Sequence, residues 1–78
     1  MANNASWNNV YKRINEERKK CGLTWNQLAK QAGIKVGTWM TGLPISHPTE
    51  EEVRKIAPVV NSTYVYLRYG ITDIESLR

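Results

Sequence analysis

Thr24-Trp25-Asn26-Gln27-Leu28-Ala29-Lys30-Gln31-Ala32-Gly33-Ile34-Lys35-Val36-Gly37-Thr38-Trp39 is the stretch on which the fold turns. The Thr24 hydroxyl can accept from the backbone amide of Gln27 while the Gln27 side chain reaches back, the reciprocal capping box that opens a helix. Trp25, Leu28, Ala29 and Ala32 then recur on one helical face. Gly33 offers the left-handed backbone that ends a helix sharply, so this second helix uses only about nine residues. Ile34 follows as an apolar plug. A third helical segment fits Lys35 to Thr41, with Trp39 inward and Gly42 as its terminator. Two helices that meet steeply through a tight turn need a small side chain where they touch, a glycine at the turn and apolar residues on both sides. Ala29, Gly33, Ile34 and Trp39 meet those needs in that order.

Upstream, Ser6 is a good N-cap, and Trp7, Val10, Tyr11, Ile14 and Cys21 share one helical face, with Lys12, Arg13, Glu16, Glu17, Lys19 and Lys20 on the remainder. Gly22 stops this first helix after about Cys21. Downstream, Leu43-Pro44-Ile45-Ser46-His47-Pro48 reads as a loop because its prolines exclude helix, with Leu43 and Ile45 apolar enough to tuck under the core. Thr49 and Glu52 form a second capping box, and Glu50, Glu51 and Glu52 occupy the first turn, where the helix dipole favours negative charge. Val53, Ile56, Ala57, Val59 and Val60 make the apolar side of helix four, and Pro58 imposes a kink or an early end. Thr63 to Tyr69 reads as a fifth short helix ending at Gly70, because no second strand-like run exists to pair with it. Ile71, Ile74 and Leu77 continue the apolar spacing. The expected fold is all-α, a compact bundle of about five short helices. Residues 1–5 form a loose arm, 6–70 the domain, and 71–78 a tail that dimerises or links to a further domain.

A chain of 78 residues has room for one domain with a limited core. Its single cysteine, Cys21, can close no internal disulfide, and no stretch has the apolar length that spanning a membrane needs. A cytoplasmic, nucleoid-associated location is expected, with no membrane partner. The formal charge is +4, and it is unevenly placed. Residues 1–47 carry seven basic and two acidic side chains, a net of +5, and residues 48–78 carry four basic and five acidic, a net of −1. The basic half coincides with the paired-helix stretch and should face an anion. Such a pair projects its second helix outward, where it can enter the major groove of DNA while the first lies across the backbone.

Arg18, Gly22-Leu23-Thr24, Leu28-Ala29, Gly33-Ile34 and Thr38, with Val53-Arg54-Lys55-Ile56-Ala57 and Tyr66-Leu67-Arg68-Tyr69-Gly70 downstream, resemble the lambda-type phage repressor and Cro helix-turn-helix family over roughly residues 10–70. The resemblance implies a transcriptional regulator of the phage or prophage type that binds an operator in double-stranded DNA as a homodimer. It also implies a phosphate clamp at Thr24, Trp25 and Asn26 near Arg18, and base or phosphate contacts from Lys35, Val36, Gly37, Thr38 and Thr41. Family members carry long polar residues where this chain has Val36 and Gly37, and their recognition helix runs about a turn further than Gly42 permits here. Dimerisation is expected through Tyr64, Leu67, Tyr69, Ile71 and Ile74, where the chain has more apolar surface than a small domain covers internally.

Trp7 and Trp39 lie on inward stripes and read as core rather than as stacking platforms, whereas Trp25 is balanced between core edge and phosphate contact. His47 has no partner at ligand spacing, so no metal is expected. Cys21 beside Lys19 and Lys20 reads as a packed or bystander thiol rather than a redox sensor. Lys12, Arg13, Lys19 and Lys20 suit either a solvated face or phosphate contact. No nucleophile with a neighbouring base and no glycine-rich phosphate loop is present, so neither enzyme activity, nor a cofactor, nor a small-molecule substrate is expected. The competing reading is a protein-interaction module on the same fold, an antirepressor or antitoxin-like partner docking through Val36, Trp39, Met40 and Leu43.

Overall fold

The computed structural model describes residues 6–41 and 46–71. Within them the chain is all-helical: α1 (Trp7–Lys20), α2 (Trp25–Ala32), a single 3₁₀ turn (Thr38–Thr41), α3 (Glu50–Val59) and α4 (Tyr64–Tyr69). The arm 1–5, the loop residues Gly42, Leu43 and Ile45, and Ile74 and Leu77 of the tail lie outside the described residues.

Each α-helix begins where a hydroxyl satisfies an amide that the helix itself leaves unpaired. Ser6, Thr24, Thr49 and Thr63 accept from Asn9, Gln27, Glu52 and Tyr66, and the boxes at Thr24 and Thr49 are reciprocal. The helix ends are equally local. Gly33 sits at φ 71°, and the amide of Ile34 closes on the carbonyl of Ala29 at 2.9 Å, so the chain leaves α2 in a new direction. Pro58 occupies the last turn of α3, which ends at Val59; Asn61 then takes φ 56° and Ser62 closes on Ala57 at 2.8 Å. The expected early end is therefore observed.

The third helix is not. Lys35, Val36 and Gly37 are non-helical, and only Thr38–Thr41 closes, as a 3₁₀ turn with the Met40 amide on the Gly37 carbonyl. Between the left-handed Gly33 and the Gly42-Leu43-Pro44 stop there is room for only about two turns, and that span holds four β-branched residues, Ile34, Val36, Thr38 and Thr41, together with Gly37. Helix nucleation costs more than so short a segment recovers.

Val10, Ile14, Leu28, Ala29, Trp39, Met40, Val53, Ile56, Ala57, Val60 and Leu67 form one buried cluster. Helix α1 packs on α4, α4 on α3 and α3 on α2. Two sequence expectations fail here. Cys21 is exposed because it caps α1 beyond the last inward turn. Leu67, expected at a dimer surface, is fully buried, because α4 is held against α1 by Arg13, whose guanidinium donates to the carbonyls of Leu67 at 3.0 Å and Arg68 at 3.2 Å. A cation on the last carbonyls of a helix also suits its dipole.

Tyr64 fixes the other end of α4 by donating its hydroxyl to Glu50 at 3.0 Å. Burial first, and then that hydrogen bond, push its phenol above the ordinary value of 10.0. A proton held more tightly in the folded chain stabilises it fully below pH 10 and ceases to do so as pH rises through the raised value. Alkaline unfolding of the wild type should therefore lose part of its pH dependence above pH 10 in Tyr64→Phe, as followed by circular dichroism.

Ile14 is fully buried, whereas a Cβ at Gly33 meets nothing within 4 Å and carries only the backbone penalty. Urea unfolding should show Ile14→Ala destabilised by about 2–5 kcal/mol and Gly33→Ala by about 1 kcal/mol.

Candidate nucleic-acid interface

The end of α2 and the turn that follows build the candidate face. Trp39 returns to the core immediately after the non-helical segment and is 4% exposed. Its ring meets the Trp25 ring edge-on at 5.6 Å, and Trp25 stacks on Tyr11 of α1 at 5.7 Å. On Trp25 rests the Arg18 guanidinium, 4.6 Å from the ring centroid. Arg18 also donates to the carbonyl of Leu23 at 2.6 Å and to Asn15 Oδ1 at 2.6 Å. The arginine expected beside a phosphate is thus a clamp on the α1–α2 connection, and Trp25 is a rib of the same stack.

Gly37 lies directly over Trp39. A Cβ built there would come 2.9 Å from Cδ1 and 3.0 Å from Nε1 of the indole. Only glycine allows this approach, and the result is a segment with no side chain at its centre. Beneath it the Trp39 N–H is buried without a hydrogen-bond partner. Between the Ile34 amide on Ala29 and the Met40 amide on Gly37, the amides of Lys35, Val36, Gly37 and Thr38 have no backbone acceptor among the described residues.

Of the expected site residues, several are exposed and others are engaged within the fold. Thr24, Asn26, Lys35, Val36, Thr38 and Thr41 are exposed and Gly37 is half-buried. The Thr24 hydroxyl is committed to Gln27, Thr38 shares a hydrogen bond with Ser46 at 2.5 Å, and Thr41 donates to the Thr38 carbonyl at 2.6 Å. Asn26, Lys35 and Val36 are the side chains left with their ends open. Of the apolar surface expected for the interaction-module reading, Trp39 and Met40 are buried and Leu43 lies outside the described residues, leaving Val36.

Cations separate into two groups. Arg13 and Arg18 are spent on backbone carbonyls, and Arg68 lies 4.1 Å from the Trp7 ring centroid. Trp7 is in turn stacked on His47 at 4.1 Å, so the sole histidine belongs to a column that joins α1, α4 and the loop before α3. Neither this column nor the Arg13 clamp has a local sequence signal, since its members are far apart in the chain. Lys20 pairs with Glu17 at 3.1 Å, and that bond raises its pKa. Lys12, Lys19, Lys30 and Lys35 are exposed and make no ion pair among the described residues.

At the other end, Val65, Tyr69 and Ile71 are exposed apolar residues, whereas Tyr64 is half-buried under Arg54, 4.4 Å from its ring. Val65 was not among the expected residues; it shares a face of α4 with Tyr69, one helical turn on. Among the described residues no group of His, Cys, Asp or Glu is placed to hold a metal ion, and no helix is long and apolar enough to cross a membrane.

The seating of Gly37 on Trp39 makes Gly37→Ala a sharp change at a half-exposed position. It should cost about 1–3 kcal/mol through overpacking and alter the tryptophan emission, because the buried indole must move.

Comparison with known protein families, with curated proteins and with solved structures finds no match to this chain.

Proposed function

We propose that this protein is a sequence-specific double-stranded DNA-binding regulator of transcription, of the lambda-repressor type, and not an enzyme. The observation that carries the reading is the α2–Gly33–Ile34 turn followed by the Lys35–Thr38 segment, in which Lys35, Val36 and Thr38 are exposed and whose amides have no backbone acceptor among the described residues, anchored by the buried Trp39. Lys12, Lys19, Lys30 and Lys35 belong to the half of the chain with net charge +5, so an anionic backbone is the complementary partner. In this reading the first turn of α2, at Trp25 and Asn26, meets phosphates with its unpaired amides, and the Lys35–Thr38 segment lies in the major groove. Lysine rather than arginine supplies the outward charge, which suits phosphate attraction more than bidentate recognition of guanine.

A single short reading element gives modest affinity, so the regulator is proposed to act as a homodimer on half-sites about one helical turn apart. Val65, Tyr69 and Ile71 supply the apolar surface for that contact. The interaction-module reading is the weaker one, because burial of Trp39 and Met40 removes most of the surface it needs.

Selection of duplexes from a random pool, followed by titration against scrambled DNA over a range of salt, tests the reading. A palindromic site bound at least about a thousandfold more tightly than scrambled duplex is expected. Lys35→Ala should weaken binding and reduce the salt slope by about one. Weak, sequence-blind binding would refute the proposal.

A further inference from the structure

Val36 is the most exposed large apolar side chain among the described residues, at 54%. Among the described residues it belongs neither to the buried cluster nor to the apolar residues packed against it. The residues around it narrow what it can do on DNA. Gly37 has no side chain and can gain none without displacing Trp39. The hydroxyls of Thr38 and Thr41 are already committed to Ser46 and to the Thr38 carbonyl. Lys35 offers a mobile point charge that phosphates attract as readily as bases. With Gly37 bare over the indole, Val36 is the one exposed apolar side chain of the Lys35–Thr38 segment.

The major-groove edge presents one apolar feature, the 5-methyl group of thymine. A branched, uncharged side chain exposed next to Lys35 can gain from that feature and loses by meeting a polar base edge, where it would leave donors or acceptors unpaired. We propose that Val36 is a specificity-determining residue that reads a 5-methylpyrimidine, thymine in ordinary DNA, by apolar contact. This inference rests on the DNA-binding reading and adds to it the chemistry of one recognised position. Because 5-methylcytosine carries its methyl group at the same place in the groove, the contact is indifferent to which methylated pyrimidine supplies it.

The experiment uses the full chain and the duplex recovered by selection. Each thymine is replaced in turn by deoxyuridine, which removes the methyl group and leaves base pairing intact, and affinity is measured by titration. One thymine per half-site should show a loss of roughly fourfold per methyl, the scale of one buried methyl group. Replacing that same base pair by cytosine with guanine should weaken binding, and 5-methylcytosine at that position should recover part of the loss. Val36→Ala, at an exposed position that leaves the core untouched, should weaken binding to the thymine duplex and abolish the difference between thymine and uracil. Val36→Ala that retains the full thymine preference, or a scan in which no uracil substitution matters, overturns this inference while leaving specific DNA binding intact. Failure to select any duplex overturns both.

Discussion

Trp39 is the residue on which the arrangement of the basic half depends. Its indole closes the core between Trp25 and the segment above it, and Gly37 must lie against its edge. Two consequences follow from that one seating. The backbone from Lys35 to Thr38 is drawn close over the core and cannot coil into a full helix. The Trp25 ring, held edge-on by Trp39 and face-on by Tyr11, fixes the start of α2 against α1. Burying the indole N–H without a partner costs about 1–3 kcal/mol, so the surrounding aromatic packing must outweigh that loss.

The arginines and lysines divide their tasks along chemical lines. Arg13 and Arg18 use the planar fork of the guanidinium to hold pairs of acceptors, and Arg18 also stacks on an indole. These are uses for which an ammonium group is poorly shaped. The exposed lysines keep their hydration and their mobility. A basic balance read from composition alone overstates the charge available to a partner, because part of it is engaged inside the fold. What remains is concentrated on α1, α2 and the turn after it.

The parts of the fold legible in the sequence are those governed by nearest neighbours. Thr24 with Gln27 and Thr49 with Glu52 marked helix starts because a hydroxyl and an amide three residues apart suffice to make the cap. Gly33 marked an end because its backbone needs nothing beyond itself. The third helix is not legible, because apolar spacing at Ile34 and Trp39 is equally compatible with a short non-helical segment followed by a single turn, as observed. Leu67 was assigned outward because excess apolar surface at a chain end gives no sign of direction; Arg13, distant in sequence, sets it. The Trp7 column with His47 and Arg68 was illegible for the same reason. For the candidate face, the location was readable from the turn, but the state of each side chain was not. Whether a threonine hydroxyl is free or committed depends on partners such as Ser46 that only the folded chain brings near.

The contacts of Arg13 with Leu67 and Arg68, and of Arg68 with Trp7, join the start of the domain to its end. They close almost the whole chain into a loop, an unusual burden for a protein whose other structure is so local. Local helical turns form and melt within about a microsecond, but this closure must find partners far apart in sequence, and such searches slow folding. The same closure makes the opening of α1 and the end of α4 a single cooperative unit, so that amides at the two extremes should exchange with solvent together rather than fray one by one.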